Sequence, residues 1–152
     1  MSRWLPEMLF AIMLSGCIAS SSPERTATAA PPTLPPAELG RQVYARVCAE
    51  CHGENGEGYA NELAAPALDA GEHAWHHPDQ QICEWVVMGK LGMSREMPGL
   101  GDQLSSEEVI QVITFLHTLW TPEQLAAQQD VTARWPASSL PDCQFASGRS
   151  FR

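Results

Sequence analysis

Cys48-Ala49-Glu50-Cys51-His52 is the stretch that decides how this chain is read. Two cysteines separated by two residues, with a histidine directly after the second, form the attachment pattern of a c-type haem. The thiols add across vinyl groups on one edge of the porphyrin. His52 is then held beneath the iron, where a neutral imidazole nitrogen serves as proximal ligand and the opposite face stays available. Two other chemistries use a Cys-x-x-Cys pair: a thioredoxin-like redox centre and half of a zinc site. No strand-rich pattern precedes the pair and no second cysteine pair at zinc spacing follows it, which weighs against both.

Outward from this stretch the pattern is helical. Leu39, Val43 and Val47 recur every fourth residue after Pro35 and Pro36, with Gly40 and Tyr44 one position round the same face, so a helix delivers Cys48. Gly53-Glu54-Asn55-Gly56-Glu57-Gly58 lacks the lysine and hydroxyl of a phosphate loop and is turn material. A second helix is expected from His77-Pro78-Asp79, with Ile82, Trp85 and Val86 as its apolar stripe and Gly89 as its stop. Ser105-x-x-Glu108 is a capping box, and Leu104 can staple against Val109. Val109, Val112, Ile113, Leu116 and Trp120 share the face that follows, while His117 lies off it and is expected to be exposed. Thr121-Pro122-Glu123-Gln124 repeats the start signal for a short helix, after which the pattern fades beyond Gln129. No alternating strand pattern of useful length occurs. The expected class is all-α, a small core wrapped around one covalent haem c that adds buried apolar surface.

The 152 residues carry a net charge of −9. Such a surface repels phosphate backbones, so no nucleic-acid partner is expected. It suits either a redox donor and acceptor with basic docking patches, met by electrostatic steering, or simple solubility. Near the start, Arg3 precedes an apolar run from Leu9 to Leu14 that is too short to span a bilayer and has the character of an export signal. From Ser20 to Pro36 there is almost no large apolar residue, which makes that segment a tether without a fold of its own. In an exported chain Cys83 and Cys143, 60 positions apart, are candidates for a disulfide, for which the chain-entropy picture sets a ceiling of roughly 4 kcal/mol. The competing arrangement is a buried free Cys83 beside a loose tail thiol.

Cys-x-x-Cys-His after a helix bearing Gly40 and Tyr44, then Ala65-Pro66-Ala67-Leu68, Met97-Pro98 and a last amphipathic helix, together resemble the class I monohaem cytochrome c domain. The likeness runs from Ala37 to Trp120. It implies that Gly40 and Tyr44 cross against Val112 and Phe115. It implies also that the Pro66 carbonyl accepts the proton of the haem-ligating His52, orienting the ring and strengthening it as a donor. Met97 then stands as sixth ligand, its soft sulfur favouring ferrous iron and raising the potential. Met93 and Met88 are the substitutes, and plain packing of Met97 is the alternative. Leu14-Ser15-Gly16-Cys17 resembles a bacterial lipobox, which implies a lipid on Cys17; Ile18 in place of Asp leans towards the outer membrane. An ordinary signal peptide cleaved nearby is the competing reading.

These features divide the chain into a lipoprotein-type signal peptide (1–16), lipidated Cys17 with its linker (17–36), a cytochrome c domain (37–120) and an extension of short helix and tail (121–152). The expected function is a membrane-tethered carrier of single electrons on the periplasmic side, an electron carrier rather than an enzyme in itself, standing alone or within a larger oxidoreductase. Two alternatives use the same haem. One is a small-ligand sensor or peroxidase-like subunit with a displaceable sixth ligand. The other handles metal through His73-Ala74-Trp75-His76-His77, whose imidazoles have spacing compatible with copper. In the plainer arrangement of that stretch His77 caps a helix, Trp75 packs by the haem edge, and the remaining rings are solvated.

Overall fold

Proline starts the first helix. Pro35 flanks α1 (Pro36–Val47) and Pro36 occupies its first turn, where a missing N–H costs nothing. In this computed structural model the described residues are 34–58, 65–92 and 96–144, all within the unit Thr33–Arg152. The expected signal peptide (1–16), Cys17, most of the expected linker and Met93 lie outside them.

The buried face of α1, formed by Gly40, Val43 and Tyr44, packs on α4 (Ser106–His117). A Cβ on Gly40 would lie 1.8 Å from the Gln111 carbonyl oxygen and 3.1 Å from Phe115 Cβ, so only glycine permits this approach. The Tyr44 and Phe115 rings meet at 5.1 Å, tilted by 55°. Phe115 is therefore at the crossing as expected, whereas Gly40 faces the backbone of Gln111 instead of Val112. Val112 is buried in the same core.

At Cys48 the chain turns into α2 (Ala49–His52), and α3 (Asp79–Met88) follows the loop and a single 3₁₀ turn at Ala74–His76. Pro78 flanks α3 and Asp79 opens it. Gly89 ends it at φ 83°, where a Cβ would lie 2.6 Å from the Met97 carbonyl oxygen. Beyond that point Lys90 and Met97 exchange two backbone hydrogen bonds of 2.9 and 3.1 Å. This isolated bridge is the nearest approach to sheet among the described residues.

Both halves of the α4 capping box form: the Ser105 amide donates to Glu108 Oε2 at 2.9 Å and the Glu108 amide to Ser105 Oγ at 3.3 Å. His117, however, is buried. Its Nε2–H donates to Asp79 Oδ1 at 2.9 Å, with each side chain less than a tenth exposed. A polar side chain at the margin of an apolar stripe can be covered when a carboxylate on another helix stands ready to accept from it.

The last helix, α5 (Pro122–Arg134), has 13 residues and runs past Gln129, where the apolar pattern fades. Leu125 packs against the core, but the one fully buried side chain is polar: Gln128 is hydrogen-bonded there, so hydrophobic periodicity understates the helix's length. Cys83 and Cys143 form a disulfide with S–S 2.02 Å and Cα–Cα 5.6 Å, joining α3 to the 3₁₀ turn Pro141–Cys143. Ser106 Oγ donates to Asp142 and Ser138 Oγ to Glu84, which fasten the same tail. No helix among the described residues is long and apolar enough to cross a membrane.

Candidate functional site

Four positions on a helix return a side chain to the same face, and Cys48 and His52 are four apart. Both line an apolar cleft. The loop after α2 adds Leu68 and Ala74 to the wall; His77, Ile82, Trp85 and Val86 come from in and before α3; Val112 and Leu116 come from α4; and Met97 completes it. The cleft holds about 540 Å³ of atom-free space counting its open mouth.

His52 is fixed from several sides. Its Nδ1–H donates to the Pro66 carbonyl at 2.9 Å, which leaves Nε2 as the nitrogen with a lone pair. The Gly58 amide donates to the His52 carbonyl at 2.7 Å, and the Tyr44 hydroxyl to the Gly53 carbonyl at 2.8 Å. Burial pushes the His52 pKa below its usual value, with the Pro66 bond opposing the shift. The ring is thus neutral near pH 7, the state that binds a metal.

Cys48 is buried and Cys51 half-buried. Burial, helped by the neighbouring Cys51, pushes the Cys48 thiol up to about 12. A thioredoxin-like pair needs a stabilised thiolate, so this environment opposes that chemistry. A zinc site fares no better: no group of three or more His, Cys, Asp or Glu among the described residues is placed to hold a metal.

Of the three methionines considered, Met97 lines the cleft and Met88 is 64% exposed on the surface. The three imidazoles of the His73 stretch form no metal-holding group, although the His73 and His77 rings meet edge-on at 5.5 Å. His77 donates from Nδ1 to Gln81 Oε1 at 2.8 Å instead of capping α3, and lies edge-on to Trp85 at 4.6 Å. Burial lowers its pKa. Trp75 stacks on His76 at 3.7 Å and does not line the cleft; the indole on the wall belongs to Trp85. Lys90, the chain's sole lysine, sits over that indole with Nζ 3.9 Å from the ring centroid. Sequence reading had no role for Leu68, Ala74 or Lys90. The apolar Leu68, two residues beyond Pro66, was the one available signal.

A neutral imidazole with its outer nitrogen already engaged, two thiols beside it, a thioether on the same cleft and an apolar wall make a donor set that fits an iron porphyrin. Residues 35–116 match the family described as cytochrome c oxidase, cbb3-type, subunit III. The chain is 34% identical over 91 residues to the cbb3-type cytochrome c oxidase subunit FixP of Azorhizobium caulinodans, covering 60% of this chain and 30% of that protein. It is 29% identical over 86 residues to subunit CcoP of Azospirillum brasilense, covering 55% and 28%. To subunit FixPc of Rhizobium leguminosarum bv. viciae it is 33% identical over 83 residues, again covering 55% and 28%. The matched part spans less than a third of the length of these curated relatives.

Proposed function

This chain belongs to the cbb3-type cytochrome c oxidase subunit III family, all-α c-type cytochromes of electron transfer with covalently bound haem c, and from that premise we propose a membrane-tethered single-electron carrier. One observation carries the reading: His52 and Met97 line a single apolar cleft with Cys48 beside them. Cys48 and Cys51 would hold the porphyrin through their sulfurs. His52 Nε2 and the Met97 sulfur would be the side-chain donors to its iron, and the Pro66 carbonyl orients the imidazole. When bound, the haem iron takes up and releases one electron. The chain's own work is to keep that site rigid and dry. Leu68, Ile82, Val86, Val112 and Leu116 exclude water, and the Lys90–Met97 bridge fixes the backbone that presents the thioether.

A lipid on Cys17 would confine the domain to a membrane surface. The likeness to oxidase subunits does not support the outer membrane that Ile18 suggested. It supports a donor and acceptor of respiratory type, with an oxidase as the acceptor or as the complex that contains this domain.

Mass spectrometry of exported protein tests attachment: one haem adduct is expected, lost when either Cys48 or Cys51 becomes Ser. Carbon monoxide separates carrier from ligand-binding haem. The reduced spectrum of a carrier stays unchanged on adding the gas, and a prompt spectral change would favour the sensor or peroxidase-like reading. Cys17→Ser should move haem protein into the soluble fraction with its spectrum intact; retention on salt-washed membranes would remove the tether from the reading.

A further inference from the structure

Helix α5 begins six residues after the family match ends, yet its buried side chain reaches back to the start of α3, beside the cleft. Gln128 is the buried residue of α5, wholly shielded from solvent. Its amide nitrogen lies 2.6 Å from Asp79 Oδ1, 3.0 Å from Thr132 Oγ1 and 3.2 Å from the His77 carbonyl oxygen. Asp79 is gripped from two further directions: its Oδ1 accepts from His117 Nε2, and its own amide donates to Thr132 Oγ1 at 3.0 Å. Asp79 is the first residue of α3. Two residues before it, His77 lines the cleft, and three residues after it the wall continues with Ile82 and then Trp85.

Apolar packing lets one helix slide on another at low cost, because dispersion contacts are many and non-directional. Buried hydrogen bonds to a carboxylate do not, since an acceptor left without its donor carries the full desolvation penalty. The N-terminal end of α3 must therefore stand where donors from α4 and α5 meet. We propose that Gln128 is a positioning residue of the haem site: by donating to Asp79 and to the His77 carbonyl it sets the stance of α3 and, through it, the fit of the cleft wall at His77, Ile82 and Trp85. This inference rests on the haem reading given under Proposed function. Gln128 acts through α3 and touches no ligand itself.

A loosened wall admits water, and water favours the more highly charged ferric state, so the reduction potential falls. Gln128→Met preserves length and volume while removing both donors. The variant should load haem fully and keep its far-ultraviolet helix signal, while its midpoint potential drops below that of the unsubstituted chain and carbon monoxide, which leaves the spectrum of the unsubstituted reduced chain unchanged, now binds. A lower melting temperature with unchanged potential and no gas binding would mean that Gln128 only docks α5, and would overturn the proposal. Should Gln128→Met fail to fold, Gln128→Asn decides, since it keeps a buried amide but shortens its reach to Asp79 and to the His77 carbonyl. A smaller fall in potential supports the proposal and an unaltered potential ends it. Absence of a haem adduct from the unsubstituted chain is a separate result, which would fault the haem reading and not the role of Gln128.

Discussion

The two sides of the cleft are held in different ways. On the His52 side, two helices cross at a glycine with no room for another atom, and the imidazole is tied to Pro66 while Tyr44 and Gly58 secure the chain around it. On the Met97 side, one two-bond bridge to Lys90 holds the backbone, and the adjoining Met88 and Leu91 are 64% and 74% exposed. Restraints on the first side are numerous and buried; those on the second are few and local. Local opening draws on regions with few buried contacts, so under the proposed ligation Met97 would let go before His52.

Gly40→Ala tests the stronger side and carries the largest expected effect. Its methyl group would overlap the Gln111 carbonyl, so α1 and α4 must separate. A loss of about 3 kcal/mol is expected from chemical denaturation, at the upper end for overpacking. A near-neutral result would show that the crossing yields. Met97→Ala tests the weaker side: about 1–2 kcal/mol of stability is expected to go, below the usual range because the site is half-buried. The near-infrared sulfur-to-iron band should vanish, and carbon monoxide should bind the reduced form. Survival of that band would place the ligating sulfur elsewhere.

Tyr44→Phe deletes the hydroxyl that donates to the Gly53 carbonyl and should cost about 1 kcal/mol, with the α1–α4 contact retained. The smallest effect concerns the outer edge of the same frame, where Glu108 accepts from Ser105 and Arg46. Hydrogen bonding to the Ser105 backbone, then to Arg46, holds its pKa at about 2 against an ordinary 4.5. A depressed folded-state pKa means that the unfolded chain takes up the proton first. The contribution is therefore complete above pH 4.5 and disappears as pH falls towards 2. Melting temperatures of the chain and of Glu108→Gln should accordingly differ above pH 4.5 and converge near pH 2. A gap that persists at pH 2 would count against this assignment.

What could be read from the sequence was what is local. The capping boxes at Ser105 and Thr121, the stop at Gly89 and the helix leading to Cys48 each depend on residues within one or two turns, and all four elements are present. The crossing at Gly40 came from family likeness, and its true partner, a backbone carbonyl, has no side-chain signature. His117 and Gln128 were illegible for another reason. Their partner Asp79 is 38 and 49 residues away, and a buried polar contact between distant segments leaves no periodic trace. The cleft was legible in its chemistry, since Cys48, His52 and Met97 declare themselves by type and spacing. Its wall was only half legible, because Ala74 and Leu68 are ordinary residues made relevant by the loop that carries them.

The bond between Cys83 and Cys143 gives the molecule a covalent topology of an open arm joined to a closed ring. Met97, α4 and α5 belong to the ring, while Cys48, Cys51 and His52 belong to the arm. A backbone cut anywhere between residues 84 and 142 would leave one connected molecule until a reductant is added. A cut between His52 and Cys83 would instead divide the arm, with whatever is attached to it, from the ring that carries the thioether. Limited proteolysis under non-reducing conditions could therefore separate the two sides of the cleft as distinct products, each to be assayed alone or recombined.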